Sequence, residues 1–315
     1  MPGTDPAWAA HVVADELTGE LAGIPFLVEL PDRGPGADMI GRTTALLVDM
    51  PAEVTPRGWR LSDRPGLDQQ RAKSMLSNDL DEMEETLEGY EGPLKVQLAG
   101  PWTLAAMLEQ PRSFNRALAD QGAVRDITDS LAEATRNHLA DVERRVPGAI
   151  LILQLDEPAL PAVRQGRVPT ASGYSRIPPV EDHVLAERLA AVIGKTDSYT
   201  VVHCCAPEAS FGIIKSAGAD AVATDLSLLR SRDTDELAEA IDTGLGLLAG
   251  VPAAKPDEMA RVVADLWHKT GLDPRPVVMT PPCGLTGRSP DKAVAALRGC
   301  REAARILGDM MEDLR

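Results

Sequence analysis

Residues 149–156 read Ala149-Ile150-Leu151-Ile152-Leu153-Gln154-Leu155-Asp156, an apolar run closed by a carboxylate. A strand with one wet face alternates apolar and polar residues. This run is apolar on both faces, as a parallel strand covered on both sides is. Similar short runs lie at Ile24–Leu30, Leu94–Leu98, Tyr199–Cys204, Asp220–Asp225, Leu245–Val251 and Pro276–Thr280, with a weaker one at Trp59–Leu61. Amphipathic segments with helical spacing separate them: Leu67–Tyr90, Ser113–Arg145, Asp182–Ile193, Pro207–Ala217, Asp233–Asp242, Pro256–Lys269 and Pro290–Leu314. Eight strand candidates alternating with helices predict an α/β fold of the (β/α)8 TIM-barrel type. No internal repeat and no linker divides the chain, so a single domain over residues 1–315 is expected. The segment Gly34–Gly41 and the longer stretch Gly166–Pro179 read as loops.

Composition agrees. Aromatic residues make up 3% of the chain, so its core rests on Leu, Val, Ile, Ala and Met, which suits Ala/Leu helices around Val/Ile strands. The formal net charge is −16, a sign that opposes binding to nucleic acid or to an anionic membrane. No run approaches the ~18 apolar residues of a spanning helix, and Met1–Ala10 lacks a basic region followed by an apolar one, so a cytoplasmic protein is expected. In a reducing compartment the four cysteines, Cys204, Cys205, Cys283 and Cys300, are packing residues, metal ligands or catalysts rather than disulfides. No G-x-G-x-x-G follows the first strand, which argues against dinucleotide binding.

The chemistry-bearing pattern is Val201-Val202-His203-Cys204-Cys205 at a strand's end. In a strand, residues i and i+2 share a face, so His203 and Cys205 point together and Cys204 points away. Thr280-Pro281-Pro282-Cys283-Gly284-Leu285 follows the last strand, and Ala223-Thr224-Asp225 closes the strand after His203. In a barrel these ends open on one rim, where active sites sit. His203, Cys205, Asp225 and Cys283 form a candidate zinc set. Taken singly, a cysteine at a strand end is a small buried hydrophobe and Asp225 is a turn cap; the joint pattern on one rim carries the metal reading. Cys300 lies in a helical stretch and is assigned to packing. Zinc held by two thiolates and a carboxylate is a poor activator of water, but it deprotonates an incoming thiol while leaving it nucleophilic.

These residues resemble the C-terminal catalytic barrel of cobalamin-independent methionine synthase, in the superfamily that includes uroporphyrinogen decarboxylase. There a His-x-Cys pair, a Glu one strand later and a Cys in C-G-L bind zinc; His203, Cys205, Asp225 and Cys283 match them, with Asp one methylene shorter. Gln154-Leu155-Asp156-Glu157-Pro158-Ala159 resembles the D-E-P-A segment whose Asp binds the amino group of homocysteine, which implies that role for Asp156. Gly100-Pro101-Trp102-Thr103 resembles a rim-shaping G-P-x-T. The family's G-S-x-P at the first strand reads Val28-Glu29-Leu30-Pro31 here, making Glu29 the second substrate-binding expectation. Its D-I-H-S-P reads Leu248-Ala249-Gly250-Val251-Pro252, with glycine in the histidine's place.

The resemblance implies a zinc-dependent homocysteine S-methyltransferase of methionine biosynthesis. Loss of the histidine removes an acid that would protonate the nitrogen left on methyltetrahydrofolate, whereas methylcobalamin needs no such proton. The expectation therefore leans toward a corrinoid protein as methyl donor, with methyltetrahydrofolate as the other donor. Two further readings are a zinc methylcobamide transferase acting on another thiol such as coenzyme M, and a metal-free uroporphyrinogen decarboxylase-like enzyme.

Overall fold

A computed structural model describes residues 1–19, 23–252 and 254–313. In chain order the helices are α1 (Pro6–Leu17), α2 (Met39–Leu46), α3 (Leu67–Thr86), α4 (Pro101–Met107), α5 (Gln121–Arg145), α6 (Leu160–Arg164), α7 (Asp182–Ile193), α8 (Phe211–Ser216), α9 (Ser231–Asp242), α10 (Pro256–Thr270) and α11 (Pro290–Asp313). The strands are β1 (Ala52–Thr55), β2 (Gly58–Leu61), β3 (Gly92–Ala99), β4 (Ala149–Asp156), β5 (Tyr199–His203), β6 (Ala221–Asp225), β7 (Gly246–Gly250) and β8 (Val278–Thr280). Strands β3 to β8 pair in sequence order, every pair parallel. A parallel bridge between Phe26 and Lys95 sets the 24–30 segment against the free edge of β3. The architecture is a TIM-barrel-like α/β fold.

One expected barrel strand is placed elsewhere. Trp59–Leu61 is extended, but it pairs antiparallel with β1 in a hairpin, Val54 opposite Trp59. Thr55-Pro56-Arg57-Gly58 supplies the tight turn, and Gly58 takes a φ of 117° that a side chain would resist. Two helix starts are later than periodicity predicts. Helix α5 begins at Gln121 because the Asp120 carboxylate accepts from the amides of Gly122 and Ala123, at 2.8 and 3.0 Å. Helix α8 begins at Phe211 because Glu208 turns the chain through φ 64°. The 24–30 run joins the sheet by a single bridge, and Leu314 of the last expected helix lies outside the described residues.

The register explains the layering. On β3 and β4, Leu94, Val96, Leu98, Leu153 and Leu155 are buried against the helical shell, each worth about 1.5–3 kcal/mol of transfer free energy. The alternate residues face inward, with Lys95 beside Ile152, Gln97 beside Gln154 and Ala99 beside Asp156. Val201, Ala221, Ala223 and Leu248, with Ile152 and Val278, form a separate apolar cluster inside the curl of the sheet. The inner face therefore combines this apolar cluster with a polar set on β3 and β4, Lys95, Gln97, Gln154 and Asp156. No helix among the described residues is long and apolar enough to cross a membrane.

Candidate functional site

The carboxyl ends of β4 and β5 are joined in register, Asp156 opposite His203. Their side chains meet: Asp156 Oδ1 lies 2.8 Å from His203 Nδ1, and Gln154 Nε2 donates to the same oxygen at 2.7 Å. Burial works against the imidazolium of His203, but the Asp156 bond and charge outweigh it and hold its pKa above the ordinary value. The contact leaves His203 Nε2 and Asp156 Oδ2 without a hydrogen bond among the described residues.

Two residues further on, Cys205 shares the inner face while Cys204 turns into the core, fully buried, as period-two alternation requires. The loop after β8 brings Cys283 to it, with the sulfurs 3.3 Å apart across 78 residues of sequence. Either sulfur can donate to the other. The Cys205 hydrogen bond draws Cys283 down to about 6; burial opposes this, and the Gly284 amide and His203 assist. The same bond, then burial, pushes Cys205 up. Burial likewise raises Cys204 to about 12 and Cys300 to about 11, which leaves both as inert thiols.

Asp225 sits at the end of β6 as expected, yet its Oδ1 is engaged by the amide and hydroxyl of Ser227, at 2.9 and 2.6 Å, capping the next turn. Among the described residues, no group of three or more His, Cys, Asp or Glu stands close enough together to hold a metal ion. The structure thus unites Cys205 with Cys283, and His203 with Asp156, and gives Asp225 a local partner.

Glu29 faces the same interior. Gln97 Nε2 donates to its Oε1 at 3.2 Å and to Leu27 O at 2.7 Å, and Arg42 Nε lies 3.9 Å from that Oε1. Arg42 is buried and anchored by Val28 O and by Asp79, itself bonded to Arg33. Burial raises the pKa of Glu29, and Arg42 pulls against it.

Gln97 stands outside every motif that sequence reasoning singled out, and Gln154 and Glu157 lie in the quoted D-E-P-A segment without a role given to them. Gln97 and Gln154 are polar residues at alternate positions of otherwise apolar strands, and that spacing to Asp156 was the available signal. Glu157 is wholly buried and accepts from the Trp102 amide, the Thr103 amide and the Thr103 hydroxyl, at 2.9, 2.7 and 2.6 Å. It therefore ties the segment after β3 to the segment after β4. Gly100 is required there, since a Cβ would stand 2.4 Å from Glu157 Oε1. Burial raises Glu157 to about 7 against the pull of those three donors.

A histidine at position 250 has no room. A Cβ on Gly250 would lie 2.7 Å from Thr224 O and 2.9 Å from Pro282 Cα, so the backbone of β6 and of the Cys283 loop closes over it.

Residues 69–306 match the family model described as cobalamin-independent synthase, catalytic domain. The chain belongs to this family. A relative from Chelativorans sp. (strain BNC1), named 5-methyltetrahydropteroyltriglutamate–homocysteine methyltransferase, is 33% identical over 229 residues, covering 68% of this chain and 26% of that protein. The chain spans about a quarter of that relative's length. Among solved structures, the B12-independent methionine synthase from Shewanella sp. W3-18-1, in complex with selenomethionine, superposes with a TM-score of 0.53 at 14% identity, covering 83% of this chain and 76% of that one. That similarity carries the fold. The hairpin β1–β2 lies before the part of the chain that the cobalamin-independent synthase model matches.

Proposed function

We propose that this member of the cobalamin-independent synthase family is an S-methyltransferase, transferring a methyl group to the thiol of homocysteine held at a zinc site. The observation that carries the reading is the meeting of Cys205 and Cys283 at 3.3 Å, with His203 two residues before Cys205 on the same strand face. Two thiolates on one tetrahedral zinc, each about 2.3 Å from the metal, stand about 3.8 Å apart. The two sulfurs are close to that spacing, and soft sulfur with imidazole is the donor chemistry zinc takes. His203 Nε2, left free by the Asp156 bond on Nδ1, is the third donor of the proposed set. Asp225 is the proposed fourth, through the oxygen that Ser227 does not engage. Zinc bound there would act as the Lewis acid that keeps an acceptor sulfur deprotonated at neutral pH.

The chain's own residues do the rest. Asp156 fixes the imidazole tautomer and orientation, and its Oδ2, without a hydrogen bond among the described residues, is left to receive a substrate ammonium. Glu29, braced by Gln97 and Arg42, offers a second carboxylate to the same group. Glu157 locks the rim in place and binds no substrate.

The methyl donor proposed first is a methylated pteridine of the kind the Chelativorans relative's name carries. A family described as cobalamin-independent lends no support to the expected corrinoid protein. One observation keeps a methyl-corrinoid as a second reading: the packed backbone around Gly250 excludes the acid that would protonate a departing nitrogen. Purified protein supplied with homocysteine and each donor in turn separates the two, and failure with both sinks the transferase. Metal analysis tests the site: about one zinc per chain in the wild type and clear loss in Cys283→Ser are expected. Asp225→Asn distinguishes ligand from cap, because a cap alone leaves the zinc content unchanged.

A further inference from the structure

Lys95 is the only lysine or arginine carried by the six strands β3–β8. It stands on the inner face of β3, two residues below Gln97 and in register with Ile152. An ammonium has three N–H donors. Among the described residues Lys95 Nζ has one hydrogen-bond acceptor, Gln97 Oε1 at 3.1 Å, and the ring of Phe26, whose centroid is 5.4 Å away. The Glu29 oxygen nearest this network is engaged by Gln97 rather than by Lys95. Removing a cation from water is costly unless it finds an anionic partner and a full set of hydrogen bonds. Lys95 meets that cost with two donors unspent.

What lies above it is ordered by the strands. Asp156 is four residues further up the register, about 13 Å along the sheet, with one carboxylate oxygen free. The flexible four-carbon stem of Lys95 carries its ammonium up to the level of the Gln97 amide, shortening that gap. Cys205 lies two residues beyond His203, at the rim. From rim to interior the sheet therefore presents thiols, then a carboxylate, then an ammonium.

We propose that Lys95 recognises the carboxylate of the acceptor, so that an amino-acid thiol enters head first. Its carboxylate pairs with Lys95, its ammonium with Asp156 and Glu29, and its sulfur points toward Cys205 and Cys283. This inference rests on the acceptor reading given above. It makes Lys95 a specificity-determining residue, because a thiol lacking a carboxylate leaves the half-buried ammonium unpaired.

The test is titration calorimetry on the full chain, with and without added zinc, using L-methionine and 3-(methylthio)propylamine, the same molecule without its carboxylate. The wild type is expected to favour methionine by roughly tenfold or more. Lys95→Met and Lys95→Gln are expected to bring that preference to within about twofold of parity while the amine's own affinity stays nearly constant. Lys95→Arg is expected to retain part of the preference. Lys95→Gln keeps a polar group at this depth and supplies the readout if Lys95→Met does not fold. A preference that survives both substitutions, or its absence in the wild type, overturns the role of Lys95. A wild type that binds neither molecule overturns the amino-acid acceptor itself, which is a separate failure.

Discussion

Asp156 Oδ1 and His203 Nδ1 lie 2.8 Å apart on paired strands, so the residue expected to bind substrate also orients the imidazole. A histidine whose Nδ1 is held by a carboxylate presents Nε2 as the donor atom. Asp156→Asn is therefore expected to weaken metal binding by roughly 10–100-fold, beyond any loss of substrate contact. In metal-free protein the same change should lower the His203 pKa, since Asp156 is what raises it against burial. An imidazole NMR titration that shows no downward movement would break this link.

The thiol pair should be visible in its reactivity. In metal-free protein at pH 7, iodoacetamide is expected to label Cys283 first, because it is exposed and its pKa is drawn to about 6. Cys204 and Cys300 should stay unlabelled until unfolding. Cys205→Ala removes the hydrogen bond that stabilises the Cys283 thiolate, so labelling at pH 7 should slow roughly tenfold. Peptide mapping against time reads both rates, and equal labelling of all four thiols in the folded wild type would contradict both the burial of Cys204 and Cys300 and the lowered pKa of Cys283.

Two glycines are held by contact rather than by turn geometry. Gly250→Ala places a Cβ against backbone atoms of two segments, and a cost of about 1–3 kcal/mol is expected. Gly100→Ala meets the Glu157 carboxylate and should cost a similar amount, on the order of 1–3 kcal/mol. Gly250→His should be worse than either and should not raise transfer from a folate donor. Urea midpoints at fixed pH measure the first two, and unchanged midpoints would mean the strand ends relax freely.

Glu157 gives stability a definite pH slope. Its carboxyl stands near 7 in the folded protein and at 4.5 as a free group. Between those values the native state binds more protons than the unfolded chain, so this residue's contribution falls as pH rises from 4.5 to 7. His138 opposes it: burial depresses its imidazole to about 4, so its contribution is present above pH 6.5 and is lost as pH falls toward 4. Glu157→Gln should flatten the first slope, a change on the order of 1–3 kcal/mol across the window. Denaturation midpoints at pH 5 and pH 7.5 in both proteins decide it; an identical slope in the variant would remove Glu157 as its source.

The barrel was legible because its strands repeat one signature. The run 149–153 is apolar on both faces, as a parallel sheet between helices and an inner core demands, while Leu94–Leu98 keeps Leu94, Val96 and Leu98 for the helical side and sets Lys95 and Gln97 on the other. Trp59–Leu61 carried the right residue types, but a three-residue run does not state its partner, and the turn at Arg57-Gly58 pairs it with Ala52–Thr55. Position Ser113 belongs to a helical pattern by spacing alone, and Asp120 overrides it by capping. At the site, His203 and Cys205 on one face follow from alternation, as does Cys204 on the other. Lys95 and Gln97 were hidden because nothing in a linear run tells a polar residue facing a cavity from one facing solvent, and Glu157, though part of the quoted D-E-P-A segment, meets its partners Trp102 and Thr103 only through the fold.

The order of residues along each strand by itself determined which side chains share a face, and so set the inner column of Lys95, Gln97, Gln154, Asp156 and His203. Tertiary structure alone decided which of those faces meet. It closed 78 residues of chain to set Cys205 on Cys283 and gave His203 to Asp156. The physical reason is that alternation is a local property of the extended backbone, whereas proximity between strand ends depends on register and loop closure across the whole sheet.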